Sequence, residues 1–153
     1  MNGSTTMNAA SSNQPTALRA LAMAGALAVL GACTSMPSTN TKVVALVGAS
    51  EVPAVVTAAT GSGSVTINPD MTVSAKISVR GMDATASHIH IGAAGTNGPV
   101  IVPFTKTADN TFEAPAGAKL TEAQYTAFKA GNLYVNVHSA KHPGGEVRAQ
   151  IIP

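Results

Sequence analysis

Residues 71–79 read MTVSAKISV. Met71, Val73, Ala75, Ile77 and Val79 alternate with Thr72, Ser74, Lys76 and Ser78. Successive side chains of a strand point to opposite faces, so one face here is apolar and the other polar. That is the pattern of a half-buried β-strand. Just before it stands Asn68-Pro69-Asp70, three residues that favour a turn. Residues 63–67, GSVTI, end at the same turn after an alternation of their own, so the two runs fold back as a hairpin.

Working outward, further strands are expected at 42–47, 87–91, 100–104, 111–114, 132–138 and 146–152, with turn-rich segments between them. Many short strands at close intervals predict an all-β antiparallel sandwich. One helix interrupts them. Thr121-Glu122-Ala123-Gln124 is a capping box, Leu120 and Tyr125 are placed to staple the first turn, Lys129 suits the last turn and Gly131 the C-terminal cap. Tyr125 and Phe128 are expected to pack over an open end of the sandwich.

Composition narrows the function classes. Charged residues are 10% of the 153, against roughly 25% in an ordinary soluble domain, while hydrophobic residues are 45%. Disorder driven by charge is therefore not expected. Nine basic and seven acidic residues give a net charge of +2 without a basic stripe, and aromatics are 3%, so nucleic acid is not an expected partner. A single cysteine rules out an internal disulfide framework and a cysteine-built zinc site.

That cysteine sits at an informative place. Arg19 precedes the apolar run 20–30, which is short and rich in small side chains, as in a secretory signal. The run ends in Leu30-Gly31-Ala32-Cys33, an aliphatic residue and two small ones before a cysteine, which resembles the bacterial lipobox. Residues 1–32 are accordingly expected to be a lipoprotein signal peptide, with Met1 or Met7 as the start, and Cys33 the lipidated residue. Residues 33–42 form a polar tether and 43–153 the folded domain. The expected location is the cell envelope, anchored to a membrane through lipid. Thr34 rather than aspartate after the cysteine favours the outer membrane, facing the periplasm.

All four histidines fall in two places. In Ser87-His88-Ile89-His90-Ile91 a strand would project His88 and His90 from one face and the isoleucines from the other. In Val135-Asn136-Val137-His138, His138 shares a face with Asn136. If the two strands are neighbours, His88, His90 and His138 form a three-nitrogen cluster with His142 or Glu146 at its rim. Imidazole nitrogens suit copper, zinc, nickel and iron. The competing interpretation makes the histidines polar pins that satisfy buried backbone groups. Met71 and Met82 read as core filling rather than soft ligands. The glycine-rich stretch 92–98 lacks the lysine of a phosphate loop. Ser87 and Ser139 adjoin histidines in sequence, but neighbours on a strand face opposite ways, which argues against a triad. Glu51, Glu113 and Glu146 form no recognisable carboxylate pair.

From about residue 44 to 152 the chain resembles the CHRD domain, a module named after chordin. The resemblance runs through Leu46-Val47-Gly48, Glu51-Val52-Pro53, His88-Ile89-His90-Ile91-Gly92, Asn97-Gly98-Pro99, Tyr134-Val135-Asn136-Val137-His138-Ser139 and Pro143-Gly144-Gly145-Glu146-Val147-Arg148. Ala54 stands where the family usually repeats proline. The resemblance implies a compact β-sandwich binding module, with no agreed enzymatic activity for its bacterial members. The H-x-H strand is also similar to that of copper–zinc superoxide dismutases, although four histidines are too few for their two-metal site. The expected fold is thus an immunoglobulin-like or superoxide-dismutase-like β-sandwich with one short helix. The expected function is a membrane-anchored, non-enzymatic envelope module binding copper, with zinc second, through His88, His90 and His138, and His142 as a further candidate. The alternative is a structural or adhesive module with internally satisfied histidines; no motif specifies a protein partner.

Overall fold

The alternating runs form nine strands in the computed structural model, which describes residues 40–153. They are β1 (Thr41–Val47), β2 (Thr60–Ile67), β3 (Val73–Arg80), β4 (Ala84–Ile91), β5 (Val100–Pro103), β6 (Thr105–Ala108), β7 (Thr111–Glu113), β8 (Leu133–Ser139) and β9 (Val147–Ile151). One helix, α1 (Glu122–Lys129), joins β7 to β8. The expected signal peptide, Cys33 and most of the expected tether lie outside the described residues. β1 begins at Thr41, inside the stretch read as tether.

The strands run in the order β5-β4-β8-β9-β1-β2-β3-β7-β6. All the pairings are antiparallel, and the β1–β9 ladder is a single pair, Val47 with Arg148. The two halves on either side of that narrow link share one core. Leu46, Val65 and Ile77 come from one half and Ile89, Val135, Val137, Val147 and Ile151 from the other. Burying each such side chain contributes about 1.5–3 kcal/mol. Phe104 is where the chain leaves β5 for β6, and its N–H donates to the Ser87 carbonyl at 3.0 Å. Lys106 Nζ donates to the Ala84 carbonyl at 3.1 Å, so the far edges of the sheet approach each other. The all-β sandwich expected from alternation is the observed fold.

The β2–β3 hairpin turns at Asn68-Pro69-Asp70 as expected, but β3 starts at Val73. Met71 has φ +70 and leaves the strand: the Asn68 N–H donates to the Thr72 carbonyl, and the Met71 N–H to the Asn68 carbonyl. β6 is the strand that alternation does not reveal, since all four of its residues are exposed. The helix follows its sequence closely. Thr121 Oγ1 accepts from the Gln124 N–H, Gln124 Oε1 accepts from the Thr121 N–H, and Gly131 takes φ +73 beyond the last turn. Phe128 is buried, with Tyr125 packed against the core beside it.

The period of two then sorts β4, β8 and β9 into two faces. Ser87, Ile89, Val135, Val137, Val147, Ala149 and Ile151 are buried on the core side. His88, His90, Tyr134, Asn136, His138, Arg148 and Gln150 point the other way, where three loops cover them. Asn97 links two of those loops, donating from Nδ2 to the Val52 carbonyl at 2.7 Å.

Candidate metal centre

β4 and β8 are direct neighbours, which is what a histidine cluster requires. In their ladder His88 stands opposite Asn136, His90 opposite Tyr134, and Ala86 opposite His138. The five polar side chains therefore crowd three successive pairs of one face. His88 Nδ1 lies 3.1 Å from His138 Nε2. One nitrogen from each of His88, His90 and His138 can be chosen so that all three lie within 4.8 Å of one another. A metal with bonds of about 2.0–2.1 Å holds its ligand nitrogens no more than about 4.2 Å apart, so small ring rotations complete the set.

Backbone carbonyls fix two of the tautomers. His138 Nδ1 is 2.9 Å from the Pro143 carbonyl and His90 Nδ1 is 2.9 Å from the Gly98 carbonyl. A carbonyl only accepts, so each Nδ1 carries the proton and each Nε2 presents a lone pair. Metal-ligating histidines use the same arrangement, with the second nitrogen tied to a carbonyl or carboxylate. His90 Nε2 is buried and has no hydrogen-bond partner. Burial, with the neighbouring His138 and His90 acting in the same direction, pushes His88 down to about 4. Burial also pulls His90 and His138 below the ordinary histidine value; the Gly98 carbonyl and the Asn136 side chain oppose it at His90, and the Pro143 carbonyl at His138. At neutral pH the cluster is a set of uncharged imidazoles in which His88 Nδ1–H donates to His138 Nε2; metal binding would need that proton to move to His88 Nε2 or leave.

The surrounding shell is stacked and hydrogen-bonded. The His90 ring stacks on Tyr134 with centroids 4.7 Å apart and planes 7° from parallel. The Arg148 guanidinium carbon lies 3.3 Å from the centroid of the Tyr134 ring. Arg148 is 1% exposed and donates to the Thr96 carbonyl at 2.8 Å, Asn97 Oδ1 at 3.2 Å and the Ala93 carbonyl at 3.4 Å. It thereby holds the 92–98 loop whose Gly98 carbonyl orients His90. Gly98 has to be glycine, because a Cβ there would strike the Ile91 carbonyl. Glu51 is buried beside Asn136; burial raises its pKa, while the Arg148 charge and the Asn136 amide act the other way.

His142 is outside the three-histidine group, and its Nε2 is buried without a hydrogen-bond partner. It lines a separate cleft with Glu51, Asn97 and Pro143. Glu146 is not a rim ligand either, since its carboxylate accepts from Thr57 Oγ1 and Ser139 Oγ. Burial pushes the Glu146 carboxyl up, but the two hydroxyls prevail and leave it below the usual range. Ser87 Oγ donates to the Asn136 carbonyl at 2.9 Å and Ser139 Oγ to Glu146, so neither hydroxyl bonds an imidazole. Met71 and Met82 pack against the core. The sequence places Asn136 on the correct face but gives it no role; it offers Glu51 only as a candidate for a carboxylate pair and a family landmark, and Tyr134 and Arg148 only as family landmarks. The strand alternation that puts Tyr134, Asn136 and His138 on one face was the signal available for two of them.

The fold and this site define an all-β module with a histidine-lined polar face. The CHRD domain family model matches residues 43–151, and the chain belongs to that family. Searches of curated proteins and of solved structures gave no match.

Proposed function

We propose that this protein is a lipid-anchored, non-enzymatic binding module of the cell envelope that holds one copper ion through His88, His90 and His138. One observation carries the metal-binding reading: three imidazole nitrogens converge, two with tautomers already set by backbone carbonyls, and one of them, His90 Nε2, is buried without a partner. An unpaired buried acceptor costs about 1–3 kcal/mol, which a bound cation would recover. Copper ranks ahead of zinc because divalent affinities at nitrogen sites rise to a maximum at copper. The lipid anchor rests on the Leu30-Gly31-Ala32-Cys33 motif.

A structural module with internally satisfied histidines has support in the same two carbonyl bonds, which pin His90 to Gly98 and His138 to Pro143. It leaves the second nitrogen of His90 unexplained. Calorimetric titration of the full-length protein in detergent with copper(II) separates the two. One equivalent bound by the wild type and none by His138→Ala is the expected result. Heat no greater than that of buffer, with only stability lost in the variant, supports the structural module. For the anchor, Cys33→Ala is expected to move the protein from the membrane to the soluble fraction; a variant that stays in the membrane contradicts it.

A further inference from the structure

We infer that Asn136 supplies an oxygen ligand to the same centre, its carbonyl aimed there by Glu51, so that the site is built from three nitrogens and one oxygen. This rests on the metal-binding reading above. Asn136 lies directly opposite His88 in the β4–β8 ladder, at the middle of the cluster, and is 2% exposed. Its Oδ1 is 3.0 Å from His138 Nε2. His138 carries its proton on Nδ1, facing the Pro143 carbonyl, so Nε2 is an acceptor. Two acceptors thus face each other at hydrogen-bond distance, and the one proton beside them is the His88 Nδ1–H that His138 Nε2 accepts at 3.1 Å. A cation among these groups would use the lone pairs that this single N–H leaves over.

An amide in that position would ordinarily rotate to offer its nitrogen to the imidazole. Here the far side of the amide prevents it. Asn136 Nδ2 and the Glu51 carboxylate close on one point above Gly145, where a Cβ would lie 2.7 Å from Nδ2 and closer still to Glu51 Oε1. Rotating the amide would press Oδ1 against the carboxylate and lose the donor that now faces it. Glu51 is 6% exposed, so solvent does not weaken this preference. Glu51 Oε1 is buried without a hydrogen-bond partner of its own, so the carboxylate favours the amide nitrogen turned toward it and the oxygen turned inward. With the His88 proton moved to its Nε2, a carbonyl oxygen beside three imidazole lone pairs is a cation site. Glu51 acts through Asn136 and is a positioning residue. A bound metal ion would also gain from the buried negative charge behind the amide.

The test uses zinc(II), which is diamagnetic, and the full-length protein in detergent. On saturation with zinc the Asn136 carboxamide 13Cγ resonance of the wild type is expected to move downfield, as a coordinated carbonyl does. Asn136→Leu is expected to weaken zinc binding by about tenfold to a hundredfold, and Glu51→Gln by about tenfold. Asn136→Asp, which keeps the oxygen, is expected to bind at least as tightly as wild type. Zinc uptake with an unmoved Asn136 resonance overturns the oxygen ligand and leaves the histidine site standing. A wild-type protein that takes up no zinc overturns both. The resonance is read on the wild type, so the outcome stands even if a variant fails to fold.

Discussion

His88 and His138 meet edge to edge across two strands, Nδ1 of one 3.1 Å from Nε2 of the other, with ring centroids 4.9 Å apart. Their separation in sequence conceals this contact, and the antiparallel register of β4 on β8 creates it. Two imidazoles held this close cannot both be protonated without repulsion, and burial raises that cost. The cluster therefore resists protonation, and several of its properties can be measured without any metal.

The first is the acid sensitivity of the metal-free protein. His88 titrates near 4 when folded, well below its ordinary 6.5. Between those values the unfolded chain binds a proton at His88 that the folded chain does not, so stability rises with pH across the window and levels off above it. Urea midpoints measured from pH 4 to 8 are expected to climb to about 6.5 and then flatten. His88→Asn is expected to climb less steeply. A midpoint that falls with rising pH below 6.5 would show that the histidines are stabilised as cations.

Gly144 and Gly145 are adjacent and should respond very differently to a methyl group. Gly145 has φ +126, and a Cβ there would run into the Glu51 carboxylate and the Asn136 amide. Gly144 has open space around it. Gly145→Ala is expected to lose about 1–3 kcal/mol in urea unfolding, and Gly144→Ala about 0.5 kcal/mol or less. Equal losses would mean that the Pro143-Gly144-Gly145 turn does not brace the site.

Arg148 is a buried cation whose three side-chain hydrogen bonds all go to one loop. Arg148→Met would keep much of the packing on Tyr134 but leave Asn97 Oδ1 and the Ala93 and Thr96 carbonyls without this donor. The expected cost is about 2–4 kcal/mol, with limited proteolysis now cutting between residues 92 and 98. Loss of stability without new cleavage in that loop would contradict its role as the loop's tie.

Much of the fold was legible because alternation is a local signal. Residues 71–79 announced β3, and the 121–124 capping box announced α1 one residue from its observed start. β6 was not legible: Thr105–Ala108 is an exposed edge strand whose partner β7 supplies its only ladder, so burial imposes no pattern on it. The Met71 turn was hidden for a related reason. A methionine continues the apolar phase, and only the hairpin geometry requires its positive φ. At the site, the histidines were visible because the residue type is rare here and their spacing in the strand is two. Glu51, Asn136 and Arg148 were not, since their role depends on how far-separated segments cover the outer face of β8 and β9. His142 shows the opposite case. Its closeness to His138 in sequence suggested a shared ion, whereas the Pro143-Gly144-Gly145 turn carries it to a different cleft.

The central claim is that His88, His90 and His138 bind one metal ion together. Its most direct measurement is pulsed electron paramagnetic resonance on the full-length protein loaded with one equivalent of copper(II). The modulations should report imidazole nitrogens from three histidines, and each of His88→Ala, His90→Ala and His138→Ala should remove one set. A copper signal with no imidazole coupling, or one unchanged by all three substitutions, would contradict the account.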